Sequence, residues 1–121
     1  MIRLLVELNV SPTNIQRFHA FAEEMTAIVR AKEPDSVMAY EFHAMSPDNS
    51  QYLVYEQFPD LKSYFNHMEI LGEKLAAATN DIYSVKSLII VGDLPGPFVE
   101  QMKAAYGELV RYYGTSVSVL D

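Results

Sequence analysis

A carboxylate set among apolar side chains is costly unless it is paired or protonated. Glu56 is such a residue. Gln51 to Phe58 alternates as a strand, and Glu56 falls on the same face as Tyr52, Val54 and Phe58. Upstream, Tyr40 and Phe42 recur at the same period. Downstream, a helical stretch carries His67. Brought to one cavity, Glu56 is a candidate base that accepts a phenolic proton. His67 is its candidate partner, titrating near neutrality, and Tyr40 orients the bound hydroxyl. The alternative for Glu56 is structural: a carboxylate bonded to Tyr40 or to backbone N–H groups, or one that reaches solvent. Phe42, Phe58, Tyr64 and Phe65 are the aromatic candidates for a substrate pocket. Core packing accounts for most of the eight tyrosines and six phenylalanines equally well.

The other histidines suggest less. His43 stands beside Glu41 on the opposite face of its strand, which suits interface packing. His19 lies beside the apolar stripe of the first helix. The three histidines match no metal-ligand spacing. No Ser-His-Asp order, phosphate-cradling glycine loop or dinucleotide fingerprint is present.

These residues need elements to position them. Ile2 to Val10 alternates as a strand. Ser11-Pro12 opens a helix that keeps its period to about Lys32 and stops at Pro34. Val37 to Met45 and Gln51 to Phe58 are strands joined by the turn residues Pro47-Asp48-Asn49. Centring that hairpin on Asp48 pairs Tyr40 with Glu56 and His43 with Leu53. Pro59-Asp60 opens a second helix with a stripe of Leu61, Tyr64, Phe65, Met68 and Leu71, and Gly72 is a place where it breaks. His67 lies off that stripe. Ser84 to Val91 is a fourth strand. Phe98, Met102, Tyr106, Leu109 and Tyr113 predict a third helix ended by Gly114. Thr115 to Leu120 is a candidate short edge strand. The order β-α-β-β-α-β predicts an α+β, ferredoxin-like antiparallel sheet with an added C-terminal helix. Residues 1–121 read as one domain, with a core over about 1–91 and a helical extension over 94–121.

Composition narrows the partners. Nine basic residues against sixteen acidic ones leave a net charge of −7. No basic patch favours nucleic acid or an anionic membrane. There is no cysteine, so thiolate nucleophiles, disulfides and iron–sulfur ligation drop out. No apolar run is long enough to span a bilayer, and the short N-terminal run carries Arg3 and Glu7. A cytoplasmic protein is the expectation. The second face of the sheet, with Leu5, Leu53 and Tyr55, is too apolar for water. Sheet-to-sheet homodimerisation or the C-terminal helix must cover it.

Glu33-Pro34-Asp35, Tyr40, Glu56-Gln57-Phe58, Asp60 and His67 together resemble the pattern of the antibiotic biosynthesis monooxygenase family over about residues 1–91. That family's pattern has glycine where this chain has Asp35, and tryptophan where it has Phe58. The resemblance implies a dimeric α+β barrel. It also implies a cofactor-independent monooxygenase acting on a small quinol-like or phenolic compound, without haem, flavin or metal. The haem-ligand position of haem-degrading relatives falls near Ala77. A non-catalytic small-ligand-binding or stress-associated module is the alternative.

Overall fold

The computed structural model describes Met1–Leu120. Alternating side chains form β1 (Ile2–Asn9), β2 (Ala39–Ala44), β3 (Gln51–Phe58) and β4 (Ser84–Val91). Apolar residues at helical spacing form α1 (Ile15–Lys32), α2 (Leu61–Ala78) and α3 (Gly96–Tyr106), and a last strand, β5, runs Val110–Tyr113. The sheet order is β2-β3-β1-β4-β5. All pairings are antiparallel except β4 with β5, which run parallel. This is an α+β, ferredoxin-like fold with one added helix and strand.

Local chemistry explains the boundaries. Pro34 forbids the preceding residue from continuing α1, and Glu33 closes the helix with its N–H on the Val29 carbonyl at 2.8 Å. Asp60 caps α2, its Oδ1 accepting from the Ser63 N–H at 2.8 Å. Such a cap is worth about 1 kcal/mol. The hairpin takes the expected register, Tyr40 opposite Glu56 and His43 opposite Leu53.

All three helices pack on one face of the sheet. Phe18, Phe21, Met25 and Val29 of α1 meet Leu8, Tyr52 and Val54, with Leu71 of α2 beside them. Phe98 and Met102 of α3 meet Ile2, Leu4, Leu88 and Ile90. The extension therefore shares the face of the other helices. The opposite face keeps Leu5, Leu53, Tyr55 and Ile89 half-buried, and among the described residues no helix packs on it.

Three expectations change. Helix α2 runs unbroken through Gly72, because one glycine weakens a packed helix without breaking it. The third helix ends at Tyr106, where Gly107 turns left-handed at φ +58, instead of continuing to Gly114. The last strand is then Val110–Tyr113, whose β-branched and aromatic residues suit the sheet edge, and Thr115–Leu120 holds no strand. Among the described residues, no helix is long and apolar enough to cross a membrane.

Candidate active site

Strand β3 delivers Glu56 to the helix-covered face, and α2 delivers His67 onto it. The end of α1 delivers a third group, Glu33. Its position, one helical step beyond Val29, continues the buried stripe of Met25 and Val29 inward. The imidazole lies between the two carboxylates. Its Nδ1 is 3.2 and 3.0 Å from the two oxygens of Glu33, a two-pronged hydrogen bond. Its Nε2 is 3.1 Å from Oε1 of Glu56. That second contact is close but poorly aimed, and Nε2 has no aligned acceptor. The rings of Phe58 and Tyr40 pack on the imidazole at centroid distances of 5.1 and 5.2 Å. His67 is wholly buried, Glu33 is 2% exposed and Glu56 9%.

Proton counting follows from this geometry. A neutral imidazole offers one N–H, and its other nitrogen would then set a lone pair against a carboxylate. With a proton on each nitrogen the ring is an imidazolium between two carboxylates, and the three groups then hold one net negative charge. Burial alone lowers the pKa of His67. The carboxylates of Glu56 and Glu33 outweigh it, so the pKa lies above the ordinary histidine value. Burial raises the pKa of Tyr40, and the charge of Glu56 raises it further. Tyr64 is raised for the same two reasons. Both phenols therefore keep their protons near neutrality and act as donors. The two carboxylates hold opposite edges of one ring and do not converge as metal ligands, and among the described residues no group of three is arranged to hold a metal ion.

Glu56 looks into a cavity of about 460 Å³ between the sheet, α2 and α3. Tyr40, Phe42 and Tyr64 line it with Glu56, and apolar side chains make up most of the rest. His67 stands behind Glu56, off the cavity wall, held there by Glu33. Though off the apolar stripe of α2, it is wholly buried. The stripe counted Phe65 inward, but Phe65 is 51% exposed and stacks edge-on against Phe98 and Tyr64, outside the cavity. Phe58 is fully buried beneath His67 and also lies off the cavity. His43 pairs with Glu41 at 2.9 Å on an exposed edge, and His19 bonds the Tyr52 hydroxyl at 2.7 Å.

Sequence reasoning missed Glu33 as a member of the group. Its signal was the spacing from Met25 and Val29, which places it on the buried side of α1. Tyr83, just before β4, and Met102 and Tyr106 of α3 also line the cavity.

No family model matches the sequence, and no curated protein matches it. Solved structures do. MupZ from Pseudomonas fluorescens is 11% identical, with a TM-score of 0.76 over 99% of this chain and 93% of MupZ. An antibiotic biosynthesis monooxygenase is 15% identical, with a TM-score of 0.62 over 78% of this chain and all of its own. Rv0793 from Mycobacterium tuberculosis is 14% identical, with a TM-score of 0.60 over 78% of this chain and 95% of its own. At such identities the likeness is one of architecture, and by architecture this chain carries the antibiotic biosynthesis monooxygenase fold.

Proposed function

We propose that this chain is a cofactor-independent monooxygenase that acts, as a homodimer, on a small quinol-like or phenolic compound. The observation that carries the reading is Glu56, nine-tenths buried and facing an apolar cavity beside the neutral phenols of Tyr40 and Tyr64. Glu56 accepts the hydroxyl proton of a phenol whose keto tautomer bears a ring CH₂. The anion's ring carbon bonds to dioxygen, the co-substrate. Protonation gives a hydroperoxide, and loss of water leaves a carbonyl. One oxygen atom stays on the substrate. The other leaves as water with the two hydrogens that the substrate lost. Tyr40 and Tyr64 donate to the developing oxyanion, and His67 with Glu33 holds the Glu56 carboxylate in place.

Oxygen uptake over a panel of quinols and phenols tests this. Uptake is expected for some member, and Glu56→Gln should lower it by about 10²-fold or more while the melting curve stays cooperative. A second reading, a non-catalytic small-ligand-binding module, is favoured by one observation. No lysine or arginine lines the cavity among the described residues, so no cation offsets a substrate anion there. Tight binding of phenols with no oxygen uptake by any of them would decide for the module.

A further inference from the structure

Gly72 is a poor residue for its place. It lies in the middle of α2, where glycine weakens a helix relative to alanine. Its backbone does not take a left-handed conformation. A Cβ added to it would meet nothing within 4 Å. Neither backbone conformation nor packing calls for glycine there. What a side chain at 72 would occupy is the cavity. Met68 and Ala76, one turn before and one turn after on the same face, both line it with Gly72.

The cavity has a closed end and an open end. Glu56, Leu4 and Phe21 are its buried wall, whereas Ala76, Asn80 and Tyr106 are exposed and mark the mouth. From Tyr64 to Ala76 the lining face of α2 covers about 18 Å at 1.5 Å per residue. At the buried end Glu56 lies 3.1 Å from His67 Nε2 without hydrogen-bond alignment. Its carboxylate lines the same cavity as Gly72.

We propose that Gly72, with Ala76 one turn on, is a clearance strip that lets an elongated, neutral, largely apolar ligand lie along α2. The ligand's hydroxyl end reaches Glu56, and its tail passes Gly72 toward the mouth beside Tyr106. Anionic ligands are disfavoured, because Glu33, His67 and Glu56 together already hold net negative charge behind that wall. The inference rests on the reading that this cavity is the ligand site, and it holds whether or not the ligand is turned over.

The test uses the full chain and two probes: Nile red, an apolar fluorophore, and nonylphenol, which displaces it and adds a hydroxyl. Gly72→Leu and Ala76→Leu should each weaken both probes by at least about tenfold. Gly72→Ala should raise the melting temperature by about 4 °C. Glu56→Gln should weaken nonylphenol, the probe that carries a hydroxyl, more than it weakens Nile red. If Gly72→Leu does not fold, Ala76→Leu decides. Equal affinities for the native chain and the folded leucine variant, or no Nile red binding by the native chain, overturn the inference. Loss of binding in the leucine variants together with no oxygen uptake leaves it standing and removes only the monooxygenase reading.

Discussion

At the scale of residues, the unusual object is an imidazole held between two buried carboxylates. Removing the ring strands both. His67→Ala is expected to cost about 3–5 kcal/mol in urea unfolding, the range for breaking a buried ion pair by deleting one partner. The group also sets a pH dependence. The folded pKa of His67 is raised above its unfolded value, burial opposing and Glu56 and Glu33 prevailing. Its contribution to stability is therefore complete below the ordinary histidine value of about 6.5 and fades as pH rises through the folded value. Melting temperature should fall over that alkaline window, and His67→Gln should flatten the fall. A slope unchanged by the variant would mean that other groups set it. Glu56 was legible in the sequence because alternation alone puts a carboxylate on the greasy face of β3. The trio was not. Its members are joined across long stretches of chain, and no local pattern records that Glu33 and His67 meet.

At the scale of elements, periodicity and punctuation carried most of the reading. Pro34, Asp60 and the Asp48 turn mark real boundaries, and the hairpin register follows from them. The failures cluster after Pro97. There Leu109 and Tyr113 extend a helical stripe on paper, while Gly107 ends the helix and the next residues join the sheet. A glycine inside an apolar period is ambiguous until tertiary packing decides it: Gly72 is spanned and Gly107 is a break. Phe65 turns outward instead, 51% exposed, and meets Phe98 of α3 edge-on. One glycine ties two elements together. Gly92, just past β4, has φ +147, and a Cβ there would lie 2.6 Å from the carbonyl oxygen of Met1. Gly92→Ala should lower stability by about 1–3 kcal/mol. The check is a lower urea midpoint with an unchanged slope.

At the scale of the molecule, helices cover one face of the sheet and leave Leu5, Leu53, Tyr55 and Ile89 on the other. The proposed second copy would cover them, and α3 is no competitor because it packs on the far side. Stable obligate interfaces bury roughly 2,000 Å² or more in total. Sedimentation should therefore give a dimer at micromolar concentration, and Leu53→Glu with Ile89→Lys should give a folded monomer. A native monomer would leave the face without a partner and remove the dimer from the proposal. The alternating pattern of β1 and β3 made this face legible, whereas the side on which α3 packs was not. The central place of β1 has a consequence for synthesis. It is made before both of its neighbours, which begin only at Gln51 and Ser84. The nascent chain can assemble α1 and the β2–β3 hairpin early. The apolar first strand can acquire only one neighbour until the fourth has emerged, so the core closes late, through contacts distant in sequence, and β1 is the segment most in need of shelter while it waits.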